Sequence, residues 1–306
     1  MRRFFTLALA TLGVALLAAP SAASDASNLT VLTTSQLTRT MAGARSAVIT
    51  AYELEPRGGM VRALGELCRR GARGDIMLAN PRDVVGQTVV RKNEQSRAAL
   101  ESAGCHVHFA DRPLHLKLAN IDGVTYLADR NFGRAATILR TDDPRDRTAI
   151  ARTLSEDRGV DAGDLSTRKA SALQIENDVI LRSTGPLGVE TESFGPGTTV
   201  FESLRRSALA RRPVFLIVAR TEFDNDDRER AALATLAAAG VHIRVGTSNA
   251  KLAVPQSGPT WMGSANATAG RPDQIDWGRR ITNAGVHDAI LRRFLQDWSQ
   301  AEEVRL

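Results

Sequence analysis

Short apolar runs alternate with amphipathic stretches along most of the chain, the order that an α/β protein needs. The first half reads as strand 47–52, helix 59–70, strand 75–79, helix 93–103, strand 105–109, and two strands around 115–121 and 124–128. Asp122-Gly123 has the turn chemistry to close those last two strands into a hairpin. The second half reads as helix 199–210, strand 214–220, helix 226–239, strand 241–246, strands around 251–254 and 260–263, and a closing helix 287–302. Asp226 and Asp227 give their helix the acidic start its N-terminus favours, and Gly240 ends it as Gly104 ends the matching helix of the first half.

The order of elements repeats. AALESAGCHVHFADRPLHLKLANIDGVTYLADRNF and ATLAAAGVHIRVGTSNAKLAVPQSGPTWMGSANAT share a helix, a glycine, an alternating strand, a Lys-Leu-Ala element and an asparagine near the end. This is an internal duplication. The stretch 143–197 between the copies is polar and charged, with the Gly/Pro-rich run LRSTGPLGVETESFGPG, and reads as a crossover. On this reading the second copy lacks one strand–helix unit. The chain then divides into a leader (1–23), a first repeat (24–175) and a second repeat (176–306).

The leader reading rests on MRRFFTLALATLGVALLAAPSAAS, in which two arginines precede an apolar run that ends in small residues. The apolar run is short for a membrane span, which takes about 20 residues, and no later segment qualifies. A cleaved signal implies an exported protein, periplasmic or secreted; an uncleaved anchor is the alternative reading. The two leader arginines account for two of the six excess positive charges, leaving +4. That mild excess suits an anionic ligand but forms no basic block of a dedicated nucleic-acid tail. With 43% hydrophobic residues there is ample material for a sizeable core. Cys68 and Cys105 leave two readings open in an oxidising compartment, one disulfide or two buried thiols.

The candidate chemistry lies in His115-x-Lys117-x4-Asp122, followed by Asn131. The second copy answers with Lys251 and with Gly263-Ser264-Ala265-Asn266. The pattern resembles the HxKxxxxD signature of the phospholipase D superfamily. That resemblance implies two repeats, each a mixed β-sheet flanked by helices, packed as a pseudo-twofold pair with one site at their interface. It further implies metal-independent chemistry with no cofactor. One histidine attacks phosphorus to give a phosphohistidine, and the other protonates the leaving oxygen. A neutral imidazole suits attack on an anionic diester, and lysines with asparagine amides neutralise the developing charge. Carried over residue by residue, His115 is the nucleophile and Lys117 and Lys251 clamp the phosphate. Asn131 and Asn266 are amide donors, Ser264 adds a hydroxyl, and Asp122, counted with His115 and Lys117 among the catalytic residues, pins the loop of the motif.

The departures matter equally. Asn249 stands at the second histidine position and Gln256 at the second aspartate position; Ala128-Asp129 stand where Gly-Ser is expected, one residue early. An asparagine amide bonds a leaving oxygen but delivers no proton, so a general-acid contribution of about 10²–10⁴-fold is missing. Asp129 is a candidate replacement acid. His106, His108 and His242 suggest a metal, yet offer no third ligand in sequence and read as ordinary strand residues. The leading expectation is an exported phosphodiesterase, a hydrolase of phospholipids or nucleic acid that meets a membrane surface in the lipid case. The alternatives are a non-catalytic phosphodiester-binding protein, and a nuclease in which a homodimer supplies a second His115.

Overall fold

The computed structural model describes residues 29–306 apart from Arg134, Pro272 and Arg305. The expected leader at 1–23 lies outside the described residues. The strands are β1 (Thr30–Thr33), β2 (Ser46–Ala51), β3 (Arg73–Leu78), β4 (His106–Phe109), β5 (Leu118–Ile121), β6 (Val124–Ala128), β7 (Thr137–Thr141) and β8 (Asp161–Ala162). They continue as β9 (Leu165–Arg168), β10 (Thr184–Thr191), β11 (Val214–Ala219), β12 (His242–Gly246), β13 (Leu252–Ser257), β14 (Thr260–Gly263), β15 (Ile275–Ile281) and β16 (Glu302–Glu303). Among the described residues no helix is long and apolar enough to cross a membrane.

Two mixed sheets result. The first has seven strands in the order β1-β7-β6-β5-β2-β3-β4, and the second has nine, β8-β9-β15-β14-β13-β10-β11-β12-β16. With its two short edge strands removed, the second repeats the first position for position. The expected shortfall of one strand–helix unit is therefore overturned: β10 and helix Thr199–Leu209 match β2 and helix Gly59–Arg69. The expected crossover at 143–197 is likewise corrected, since it holds helices Pro144–Glu156 and Lys169–Arg182 as well as β8, β9 and β10. A division at 175/176 would cut helix Lys169–Arg182, and β8 and β9 already belong to the second sheet.

Close packing explains the misleading glycines. Gly188 lies in mid-β10 where a Cβ would run into the Phe294 ring of the closing helix Ala284–Gln300, so glycine here lets a helix approach a strand. Gly185 sits at φ 72° beside a register irregularity at the start of the same strand. A Cβ at Gly74 would overlap Cys68 Sγ, which is joined to Cys105 in a disulfide that ties helix Gly59–Arg69 to the start of β4.

Three apolar clusters hold this together. One lies between the first sheet and its helices, with Ile49, Leu64, Leu67 and Ile76. A second lies between the second sheet and its helices, with Val189, Leu204, Leu216 and Leu236. The third joins the halves, packing Leu116, Leu118 and Leu127 with Leu252, Met262 and Trp277. Trp277 Nε1 also donates to the Ala128 carbonyl at the end of β6, 2.8 Å away. The strand ends that carry the two Lys-Leu-Ala elements thus meet across a shared core.

Candidate functional site

The backbone brings the two halves into register at His115. His115 N–H donates to the Ile275 carbonyl and Ile275 N–H to that of Pro113, each at 2.8 Å, a parallel bridge between the approach to the motif and the start of β15. The next residue on β15, Asp276, therefore falls beside the imidazole, with Oδ1 2.7 Å from His115 Nδ1. Asp276 is fully buried. Its Oδ1 also accepts from Ser264 Oγ at 2.7 Å and its Oδ2 from Gln274 Nε2 at 2.9 Å.

Burial opposes ionisation of Asp276, but His115, Lys117 and Lys169 outweigh it and hold the carboxyl below its usual range. His115 is lowered too, first by burial and then by Lys117, with Asp276 pulling the other way. The result is a neutral imidazole next to a carboxylate. An ionised carboxylate only accepts, so the proton is assigned to Nδ1, and Nε2 keeps the lone pair that a nucleophile needs.

Lys117 is buried, and among the described residues its Nζ has no hydrogen-bond partner. It lies 5.5 Å from the centroid of the Tyr52 ring, which also meets the His115 ring edge-on at 5.0 Å. Burial first, then Lys251, drives its pKa well below that of an ordinary lysine. A buried ammonium in this state is expensive unless an anion joins it.

The matching place in the second half is already filled. Lys251 Nζ donates to Glu192 Oε2 at 2.8 Å and to the Asn249 carbonyl at 2.9 Å. The amides of Asn249 and Asn266 donate to the same carboxylate at 3.3 and 3.4 Å. Burial resists ionisation of Glu192, yet Lys251, His115 and Lys117 overcome it and keep the carboxyl far below the usual range. Register shows what Glu192 replaces. Thr50 pairs with Leu118 as Glu190 pairs with Leu252, so two residues on, Glu192 stands where the first half has Tyr52.

His115, Lys117, Asn131, Asn249, Lys251 and Asn266 all line one cavity of about 440 Å³ between the halves. Three expected roles need correction. Asp122 is not in this cavity: it occupies the β5–β6 turn at φ 47°, and its Oδ1 accepts from the Ser46 amide at 2.9 Å and the Arg45 amide at 3.1 Å. It pins the start of β2 rather than serving catalysis. Ser264 is fully buried and spends its hydroxyl on Asp276, so it orients the carboxylate and is no phosphate ligand. Asp129 is no acid for the site, being paired with Arg130 at 3.0 Å and accepting from the Thr137 amide at 2.9 Å.

Sequence reasoning missed Asp276, Glu192, Tyr52 and Lys169. For Asp276 the sequence offered only a weak signal, an aspartate set between the large apolar residues Ile275 and Trp277 in a stretch that also carries Arg279 and Arg280. Lys169 lines the same cavity, lowered by burial, and donates to Thr268 Oγ1 at 3.2 Å. Gly270 makes room for it, since a Cβ there would collide with Lys169 Nζ.

Duplicated mixed sheets share one cavity, with a histidine from one half held by a carboxylate of the other, the two-repeat α/β arrangement that the motif's resemblance implied. Among solved structures, the chain is similar to a phosphatidylserine synthase of Haemophilus influenzae Rd KW20, with a TM-score of 0.64 and 10% identity over 90% of this chain and 87% of that one. It is also similar to a polyphosphate kinase of Porphyromonas gingivalis, with a TM-score of 0.58 and 13% identity over 88% of this chain. The match spans only half of that kinase's length. At these identities the likeness is one of fold. No protein-family model matches the sequence, and no curated protein matches it.

Proposed function

We propose that the protein is an exported phosphodiesterase that hydrolyses phospholipid or nucleic-acid diesters through a phosphohistidine on His115. The observation that carries this reading is the His115–Asp276 pair across the two halves, which leaves Nε2 for the substrate beside Lys117, whose Nζ has no hydrogen-bond partner among the described residues. Nε2 attacks phosphorus, the P–N bond forms, and the P–O bond breaks, the leaving oxygen departing as an alkoxide or aryloxide that takes its proton from water. Water then attacks the phosphohistidine, restoring His115 and releasing the phosphomonoester and a proton. Lys117, Lys251, Asn131 and Asn266 face the charge that builds on the non-bridging oxygens. Export is supported by the leader-like N-terminal sequence and is consistent with the Cys68–Cys105 disulfide.

A second reading, a protein that binds phosphodiesters without turnover, is favoured by Asn249, which has no proton to give. One series separates the two: wild type, His115→Ala and Asn249→His, each on an aryl phosphodiester, phosphatidylcholine vesicles and plasmid DNA. The expected result is fastest cleavage of the aryl ester, whose leaving group needs no acid, falling at least about 10³-fold in His115→Ala. Binding without turnover on all three substrates hands the case to the second reading.

A further inference from the structure

The first sheet carries a second constellation of ligating groups at its open edge, away from the cavity. β3 and β4 pair in parallel, with Asp75 opposite His106 and Met77 opposite His108. Side chains two apart on a strand share a face, so both imidazoles and the carboxylate project together. The ligating atoms of Asp75, His106 and His108 all lie within 4.8 Å of one another. Asp75 Oδ1 is 3.1 Å from His106 Nδ1 and 3.5 Å from His108 Nδ1.

The two carboxylate–imidazole separations, the shorter of them a hydrogen bond in its own right, also fit a metal's coordination sphere. Ligand atoms about 2.0–2.1 Å from a tetrahedral zinc ion are about 3.3 Å apart, and the two observed distances bracket that value. Among the described residues, His108 Nδ1 is shielded from solvent and makes no hydrogen bond, although it faces the carboxylate. The scaffold does not require this trio. At the same three positions of the second half stand Phe215, His242 and Arg244, where Phe215 stacks on His242 at 5.2 Å and Arg244 lies over Trp298. The fold closes this corner with aromatic packing in one half and with a third ligand, invisible in linear sequence, in the other.

We propose that Asp75, His106 and His108 bind a divalent cation of the zinc type, with water completing the shell. Two imidazoles with a single carboxylate suit Zn²⁺ and not Ca²⁺ or Mg²⁺, which take mostly oxygen ligands. The ion would tie β3 to β4 at the sheet edge, beside the disulfide at Cys105. The site is independent of the phosphodiester chemistry.

The test uses untagged full-length protein stripped of metal, titrated with Zn²⁺ by calorimetry and followed by thermal unfolding. The expected result is one Zn²⁺ per chain and a rise in Tm of roughly 2–5 °C, with no response to Ca²⁺ or Mg²⁺. Asp75→Asn and His106→Gln, checked for native circular dichroism, should each weaken binding by at least the ~10–100-fold that loss of a mere supporting contact produces. His115→Asn should bind as wild type does. X-ray absorption of the bound zinc reports ligand type even if a variant fails to fold, and two imidazoles with oxygen are expected. Absence of stoichiometric binding, wild-type affinity in both edge variants, or a spectrum without imidazole overturns the proposal.

Discussion

At the end of β2 the first half sets Tyr52 beside His115 and Lys117, and at the same register in the second half Glu192 faces Asn249 and Lys251. Among the described residues the first lysine has no hydrogen-bond partner, and the other is paired with a carboxylate of its own half. The orienting carboxylates differ in the same way. Asp129 N–H donates to the Thr137 carbonyl as Ser264 N–H donates to that of Trp277, so Ala136 is the counterpart of Asp276. The histidine–carboxylate pair, His115 with Asp276, draws one member from each half. The corresponding places hold Asn249 and Ala136, again one in each. The asymmetry therefore runs by cross-half pair and not by repeat, and on the proposed function the second half is needed because it orients the nucleophile.

The comparison breaks most visibly at Asp276. Asp276→Asn should lower kcat on an aryl phosphodiester by about 10³–10⁴-fold, since the amide no longer fixes the imidazole tautomer, while phosphate binding does not weaken. A matching loss of phosphate affinity would mean that Asp276 shapes the cavity rather than the histidine. The reverse operation builds a second dyad at the corresponding positions. Asn249→His combined with Ala136→Asp should raise alkyl-ester turnover by about 10²-fold, with a smaller gain from Asn249→His alone; the alkyl-to-aryl rate ratio is the readout.

Smaller effects sharpen the contrast. Glu192→Gln removes the internal anion from Lys251 and should tighten inorganic phosphate binding by about 10-fold, measured by calorimetry. The second half also buries carboxyls that burial pushes up, Glu176 to about 8 and Glu190 and Glu229 to about 7. Each folded value lies above the ordinary 4.5, so the native state binds more protons than the unfolded chain across the window between. The contribution of these three carboxyls to stability should therefore fall as pH rises from about 4.5 to 8. Glu176→Gln should recover about 1–3 kcal/mol at pH 8 and little at pH 4, by urea denaturation.

Much of this was legible in the chain because local chemistry and tertiary role agreed. Most of the expected strands and helices appear within a few residues of their bounds, the helix expected at 93–103 starting six residues earlier at Gln87, and the Asp122-Gly123 hairpin closes with both residues at positive φ, the conformation such a turn requires. The motif located the cavity. The failures share a cause, since each turned on a contact with a distant segment. Gly188 reads as a loop until Phe294 is laid on it. Asp276, Glu192 and Asp75 are undistinguished in sequence and gain meaning only from His115, Lys251 and His106 across a bridge or a strand pair. Ser264 and Asp129 misled for the opposite reason: the motif marks their positions, but their polar atoms are consumed by Asp276 and Arg130.

The most direct test of the asymmetric site is a rapid-quench single turnover with enzyme in excess over an aryl phosphodiester, followed by mass spectrometry of the peptides. The account predicts up to one substrate-derived phosphoryl group per chain, on His115 and on no other residue, appearing as the aryl alcohol is released. Alcohol release without label on His115, label on a different side chain, or no reaction at all would contradict it.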